Sequence, residues 1–209
     1  MPYKSPLQDT KFILENLLSP HKDLDTSTID AVLSEAGKLA DNDLAPLNHF
    51  GDKNNPVLRQ DNEVQTPEGF KTVFSKIAEG GWIGVASEGE YDGMDLPGRM
   101  SAAINEYWHG ANMSFALCSL LTQGLIDAFT LVGTDEEKKT YLPKFNSGVW
   151  TGTMNLTEPQ SGTDLATIKT KARFDGEDWR IQGQKIYITY GEHDLSLIHI
   201  SEPTRRSVI

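Results

Sequence analysis

The chain is poor in cysteine and has no grouping of metal ligands, and each shortage excludes a class of protein. Its single cysteine, Cys118, cannot form a disulfide within the chain, so the fold must depend on its packed core. The five histidines are scattered without the spacing of a metal site, so we expect no metal centre. Both features suit a reducing compartment, and we expect a cytoplasmic protein.

Basic residues are also scarce: 19 lysines and arginines face 30 acidic residues, which gives a net charge of −11. Nucleic acids and anionic membrane surfaces attract basic faces, so we expect no nucleic acid among the partners. No uninterrupted apolar run approaches the ~20 residues of a membrane span, and the first residues lack the apolar segment of a signal peptide. The sequence therefore predicts no membrane span, and small molecules and proteins remain as partners.

Apolar residues recur with helical period over the first part of the chain. They predict a helix over 6–18, a second helix capped by Ser27 or Thr28 and ended by Pro46, and a third capped by Thr66 and stopped by Gly80. The intervening segments, 48–65 and 82–96, are rich in Gly, Asp and Asn and are typical of surface loops.

A longer helical stretch covers residues 98–132 and is interrupted near 110–112, where Asn112 can cap its second half. That second half is almost entirely apolar or small, which predicts the centre of a helical core with Met113 and Cys118 as packing residues. Thr134, followed by three acidic residues, predicts the start of another short helix that ends by Gly148.

After Gly148 the periodicity changes from helix to strand. A strand is predicted over 149–156, and alternation over 168–181 around a turn at 175–178 predicts an antiparallel hairpin. The fold class is therefore α+β, with an all-helical N-terminal domain over 1–148 and a partial antiparallel β domain over 149–195. An apolar content of 38% is enough for a core in a chain of 209 residues.

Two segments of the β region carry ligand-binding chemistry. The first, at 154–164, follows the predicted strand and breaks it with Pro159 and Gly162, which leaves free N–H groups beside the hydroxyls of Thr157 and Thr163. The second, at 183–191, is a β-branched and aromatic run that places Thr189 close to a glycine.

These segments resemble the paired flavin signature of the acyl-CoA dehydrogenase family. The chain has Thr-Glu-Pro-x-x-Gly-Thr-Asp at 157–164 and, after a predicted hairpin, Gly-x-Lys-x-Tyr-Ile-Thr at 183–189. The resemblance implies the helical and antiparallel β architecture of that family and FAD as the cofactor. It also places the loop at 91–97 beside the substrate channel. The opening residues and the run at 186–194 look most like the larger subgroup that includes 3-methylmercaptopropionyl-CoA dehydrogenases.

The resemblance implies a role for each residue of the flavin site. Leu156 and Thr157 would lie near the pyrimidine edge of the flavin, and Gly162 and Thr163 near the diphosphate, with Thr163 also bordering the substrate. Tyr187 would cover the ring face and Thr189 would reach the N5 region. The cofactor-binding residues implied in this way are Met154, Leu156, Thr157, Gly162, Thr163, Tyr187, Ile188 and Thr189.

The reaction that the resemblance implies is the α,β-dehydrogenation of an acyl-CoA, a step of fatty acid metabolism. In the family a glutamate of the C-terminal domain removes the α-proton, so we assign no catalytic residue in this chain. Glu158 belongs to the cofactor loop, and we expect it to be a solvated or backbone-capping carboxylate. The resemblance further implies an electron-transfer flavoprotein as electron acceptor and a homo-oligomeric assembly.

The last residues, 196–209, continue no strand pattern and look like translated sequencing-adapter DNA. We therefore expect the true reading frame to continue past Leu195 with further strands and a helical domain, which resequencing of the source DNA checks. Two other functions stay open: a flavin-dependent monooxygenase or nitroalkane-type oxidase of the same fold, and a helical interaction module without a cofactor. The acyl-chain specificity is not written in this sequence.

Overall fold

A computed structural model describes residues 3–18 and 25–196 of the chain. Within them, helices fill the first part and two small antiparallel hairpins supply the strands, which confirms the α+β fold class. The helices are α1 (Leu7–Phe12), α2 (Thr26–Leu39), α3 (Ala45–Lys53), α4 (Phe70–Glu79), α5 (Gly98–Val132) and α6 (Asp135–Asn146). The strands are β1 (Val57–Leu58), β2 (Val64–Gln65), β3 (Lys171–Phe174) and β4 (Trp179–Gln182). The tail from 197 to 209 lies outside the described residues.

The first two predicted helices are present, but their ends differ from the prediction. Helix α1 continues as a π-helical turn over Ile13–Leu17. Helix α2 is capped by Asp25, whose carboxylate accepts a hydrogen bond from the N–H of Thr28, so neither Ser27 nor Thr28 is the cap. Pro46 does not end the helix, because a π-helical turn over Ala40–Leu44 leads directly into α3 and places the proline in its first turn, where no N–H is needed.

Two predictions in the next segment are wrong. Helix α4 begins after Gly69 rather than at a threonine cap, because Thr66 instead donates its N–H and its hydroxyl to the carboxylate of Asp194. The segment 82–96 is irregular, with two short 3₁₀ turns, but it is not a surface loop. Ile83, Val85 and Tyr91 are buried in the core, so its glycines allow tight turns within a packed region.

Helix α5 is the element on which the other helices pack, and it bends where the sequence predicts. Asn112 leaves helical geometry with φ −157° and ψ 88°, and its Oδ1 accepts a hydrogen bond from the N–H of Phe115. Its Nδ2 donates to the Leu44 carbonyl, so the same side chain ties the bend to the end of the π-helical turn. Phe115 and Cys118 are fully buried, as expected, but Met113 is 59% exposed and is not a core residue in this structure.

Helix α5 is also the one described helix with the length and composition of a membrane span. The core helix of a folded domain has the same properties, and here Tyr107, Trp108 and Phe115 of α5 are wholly buried in a shared core. That core also contains Phe74 of α4 and Leu33 of α2. The absence of a membrane span stays a prediction.

The hairpin predicted over 168–181 is confirmed, since β3 pairs with β4 in antiparallel register from Lys171 opposite Gln182 to Phe174 opposite Trp179. The strand predicted over 149–156 is not formed, and the run at 183–191 is not a strand either. A strand requires a neighbour for its backbone groups. Here 149–156 is held mainly by side chains, as where Gly152 N–H donates to the hydroxyl of Thr122.

The Asn112 bend predicts an unequal cost for two capping substitutions. Asn112→Ala should lower the free energy of unfolding by about 2–4 kcal/mol, because it removes a cap and leaves the buried Leu44 carbonyl without its donor. Thr134→Ala is the matched control: it removes the solvent-facing capping box of α6 and should cost about 1 kcal/mol. Urea unfolding followed by circular dichroism measures both, and equal costs would show that Asn112 does not hold the bend.

Candidate functional site

The structure brings the two segments of the flavin signature side by side. The N–H of Ile186 donates to the carbonyl of Thr157 at 3.0 Å. The hydroxyl of Thr153 donates to the carbonyl of Thr189 at 2.5 Å. The two runs therefore lie antiparallel. One backbone hydrogen bond and one side-chain hydrogen bond join them, so they do not form a regular β-ladder.

Glu158 connects these two segments to a third. Its side chain is buried, and its carboxylate accepts hydrogen bonds from the backbone N–H groups of Lys169 at 2.7 Å and Thr170 at 3.0 Å. The ammonium group of Lys185, which belongs to the second signature segment, lies 2.9 Å from the same carboxylate and also donates to the carbonyl of Leu156. Glu158 is thus a backbone-capping carboxylate, as expected, but it is not solvated.

The negative charge of Glu158 is stabilised by these hydrogen-bond donors and by the Lys185 ammonium group. The Thr170 hydroxyl, the Lys169 N–H and the Lys185 ammonium hold the pKa of the Glu158 carboxyl well below its usual range, although burial acts in the opposite direction. A buried charge that is paired and hydrogen-bonded is costly to disturb, since removing one partner leaves the other charge uncompensated. Glu158, Lys185 and the N–H groups of Lys169 and Thr170 thus hold one another in place, and we call them the Glu158 clamp.

The side chains expected to touch the flavin project away from this clamp. Met154 is 64% exposed and Tyr187 is 88% exposed, which is unusual for a methionine and an aromatic ring in the same small region. Leu156 is 37% exposed, and Thr163 and Thr189 are also on the surface. Tyr187 has a left-handed backbone with φ 54°, which turns the chain at this point. The site is therefore an open surface of apolar faces and hydroxyls.

The loop over 159–164 fits an anionic ligand at Gly162. A Cβ placed on this glycine would meet nothing within 4 Å, so the backbone is open on that side. Among the residues that the structure describes, the N–H groups of Gly162 and Thr163 donate to no backbone carbonyl or side chain. Unpaired N–H groups beside a threonine hydroxyl are suitable donors for a phosphate.

Thr189 lies at the edge of a cavity of about 560 Å³ between the signature segment and the helical part of the chain. Phe70 of α4 and Leu117 of α5 form part of its apolar wall. The neighbouring Tyr190 crosses this boundary, because its hydroxyl donates to the Ser114 carbonyl at 2.7 Å, and burial raises the pKa of its phenol. The second signature segment is therefore anchored to α5 next to the residue expected at N5.

Two further anchors follow the second signature segment, and neither was predicted from the sequence. Asp194 accepts both hydrogen bonds of Thr66, which ties the segment to the residues just before α4. His193 is buried, and the N–H of Leu195 donates to its Nδ1, so the ring proton is assigned to Nε2, which donates to the Thr151 hydroxyl at 3.1 Å. No periodicity or motif marks these residues, since their partners are distant in sequence.

The Glu158 clamp predicts a local effect of removing one charge. In Glu158→Gln the amides of Lys169 and Thr170 should exchange with solvent roughly tenfold faster or more at neutral pH, because their charged acceptor is lost. Hydrogen exchange read by NMR on the 209-residue chain measures this. Glu177→Gln, in the exposed turn between β3 and β4, is the control and should leave both amides unchanged.

The same charge sets a pH dependence. Because the pKa of Glu158 is lower in the folded chain than its ordinary value of 4.5, its stabilising contribution is complete above about pH 4.5 and is lost only as the pH falls toward the lower folded value. The wild-type amides should thus remain protected at pH 5. Loss of their protection already between pH 7 and pH 5 would contradict the clamp.

Known proteins match the chain over most of its length. The family model "Acyl-CoA dehydrogenase, N-terminal domain" matches residues 27–149. The chain is 39% identical to a 3-methylmercaptopropionyl-CoA dehydrogenase of Ruegeria pomeroyi over 96% of this chain and 36% of that protein. It is 32% identical to a broad-specificity linear acyl-CoA dehydrogenase of Mycobacterium tuberculosis over 91% of this chain and 32% of that protein. The chain thus spans about a third of the length of these curated relatives.

A solved structure shows the same fold. The acyl-CoA dehydrogenase complexed with FAD from Bacillus anthracis superposes with a TM-score of 0.65 at 24% identity, over 89% of this chain and 30% of that one. The family match covers more than half of the chain and includes helices α2 to α6. The chain therefore belongs to the acyl-CoA dehydrogenase family.

Proposed function

We infer that this chain supplies the helical part and the flavin-binding loops of an FAD-dependent acyl-CoA dehydrogenase. The observation that carries this proposal is the juxtaposition of the two signature segments, in which Lys185 of one binds Glu158 of the other at 2.9 Å. The family match supports the reaction class, and the FAD complex of the Bacillus anthracis structure supports the cofactor.

The described residues suit the chemistry of FAD. Leu156 and Thr157 would meet the pyrimidine edge, and the open backbone at Gly162 and the hydroxyl of Thr163 would receive the diphosphate. Met154 and Tyr187 would bury their exposed apolar surface against the ring system, and Ile188 would support that contact. Burial of such surfaces on binding is favourable by the hydrophobic effect. Bound FAD would accept the β-hydrogen of the substrate as hydride.

This chain's contribution to the reaction is binding and orientation. Thr189 would donate its hydroxyl toward the reacting edge of the flavin, and the hydrogen bonds of Thr153 and Tyr190 on either side fix its backbone. The cavity beside Thr189 has apolar walls that include Phe70 and Leu117, and these walls would suit an acyl group. Removal of the α-proton is assigned to a glutamate of the family's C-terminal domain, since Glu158 is fully engaged in the clamp.

An acyl-CoA thioester is the proposed substrate class, and the names of the curated relatives support it. An electron-transfer flavoprotein is the proposed electron acceptor, and a homo-oligomer is the proposed assembly. Fatty acid metabolism and a cytoplasmic location complete the proposal, the latter supported by the single, buried Cys118.

Thr189→Ala tests the cofactor assignment. FAD titrated with the 209-residue chain should show weak binding, detected as a change in flavin fluorescence. The substitution should weaken it by roughly fivefold to tenfold, because the hydroxyl donor is lost. Thr72→Ala, on the exposed side of α4, is the matched control and should bind as the wild type does. Unchanged affinity of Thr189→Ala would remove Thr189 from the flavin site, and no binding by the wild-type chain would count against the loops as a flavin site.

A further inference from the structure

The hairpin of β3 and β4 has an apolar face and a basic face. In the observed register Ala172 lies opposite Ile181 and Phe174 lies opposite Trp179, so these four side chains share one face. The rings of Phe174 and Trp179 pack on each other with their centroids 5.6 Å apart. The apolar side of an antiparallel pair is the side that packs on a core, so the other face is the one left for solvent or for a partner.

The second face carries three positive charges close together. Arg173 lies directly opposite Arg180, and Lys171 lies on the same face two residues before Arg173. Opposite side chains of an antiparallel pair are about 5 Å apart at Cβ, and side chains two residues apart in a strand are about 7 Å apart. All residues of both strands are exposed. We call Lys171, Arg173 and Arg180 the basic face.

The chain neutralises the basic face only in part. The Nε of Arg180 donates to a carboxylate oxygen of Asp175 at 2.6 Å, and the Arg180 side chain is still 71% exposed. Within the described part of the chain, no carboxylate forms an ion pair with Lys171 or Arg173. Like charges directly opposite each other destabilise a hairpin. The facing arginines are thus unfavourable for the hairpin itself, which indicates an anionic partner.

The shape of the basic face favours a protein segment over other anions. The face is open, whereas small ligands bind in concave sites. Nucleic acids and anionic membranes would be repelled by the rest of a chain whose net charge is −11.

An extended acidic segment matches the spacing of the basic face. Alternate side chains of an extended peptide lie on one side about 7 Å apart, as Lys171 and Arg173 do. Arginine also suits carboxylates, because its planar guanidinium can donate two parallel hydrogen bonds to one of them. The exposed acids Glu177 and Asp178 lie in the turn at one end of the hairpin, so the acidic stretch of a bound segment would stop before the turn.

We propose that the basic face is a docking surface for an extended segment of a partner protein whose alternate residues are aspartate or glutamate, with Arg173 and Arg180 as the recognition residues. This inference goes beyond the proposed function and does not depend on FAD.

The test uses a fluorescently labelled heptapeptide of alternating glutamate and threonine as the probe. Titration with the 209-residue chain, followed by fluorescence anisotropy, should give a Kd on the order of 0.1 mM in about 20 mM salt, and the affinity should fall as salt is added. In NMR spectra the amide signals of β3 and β4 should shift on binding. No saturable binding, or shifts confined to other parts of the chain, would overturn the proposal.

Two double variants with the same change of charge separate the basic face from net charge. Arg173→Gln/Arg180→Gln should weaken binding about fivefold to tenfold, because two ion pairs are lost. Lys53→Gln/Arg59→Gln is the matched control: it removes two exposed cations at the end of α3 and between β1 and β2, and it should bind within about twofold of the wild type. Equal weakening in both variants would show that only net charge matters and would contradict the proposal.

Folding and the nature of the partner are checked in the same series. Arg173→Gln/Arg180→Gln removes a like-charge pair, so urea unfolding followed by circular dichroism should show that it is at least as stable as the wild type. A folded variant that binds the peptide as the wild type does would overturn the proposal. Vesicles of phosphatidylserine and phosphatidylcholine form the second arm. Binding to these vesicles that depends on Arg173 and Arg180, without binding of the peptide, would assign the face to a membrane and would also overturn the proposal.

Discussion

A buried carboxylate constrains the second part of the described chain. Glu158 is almost inaccessible to water, and its charge is compatible with that position because two backbone N–H groups and the Lys185 ammonium surround it. A buried ion pair contributes little net stability compared with an apolar pair of the same shape, but separating its partners is strongly unfavourable because each charge would be left uncompensated. The turn at 158–161, the start of the hairpin at 169–170 and the segment around Lys185 are thereby fixed relative to one another.

The clamp also explains why the candidate flavin surface is polar inside and apolar outside. Satisfied hydrogen bonds hold the backbone from within, so the side chains of Met154, Leu156 and Tyr187 are left to face outward. The hydrogen bonds from Tyr190 to Ser114 and from Thr66 to Asp194 then attach this surface to α5 and α4. The candidate flavin surface is consequently formed by loops on a helical base, and the cavity beside Thr189 lies between the two, which is a common way to position a binding site.

Much of the helical part could be predicted from the sequence, because local signals determine it. The 3.6-residue period of α2, the Asn112 bend in α5 and the acidic start of α6 each depend on neighbours within a few residues. The strand predicted over 149–156 did not form, and the local sequence could not show this, since a strand depends on partners elsewhere in the chain. The prediction that Met113 is a core residue was wrong for a related reason: periodicity shows that a helix face is apolar but not whether another element covers it.

The candidate site residues were identified by their resemblance to the flavin signature, and their individual roles stay predictions. The burial of Glu158 has no sequence signal, because it follows from contacts made after folding.

A crystal structure of this chain with bound FAD tests the flavin surface most directly. The flavin N5 is expected within about 3.2 Å of the Thr189 hydroxyl oxygen, a normal hydrogen-bonding distance, with the diphosphate on the N–H groups of Gly162 and Thr163 and with the Glu158–Lys185 contact intact. FAD bound elsewhere on the chain, or bound here with Glu158 released from Lys185, would contradict the central role of the clamp.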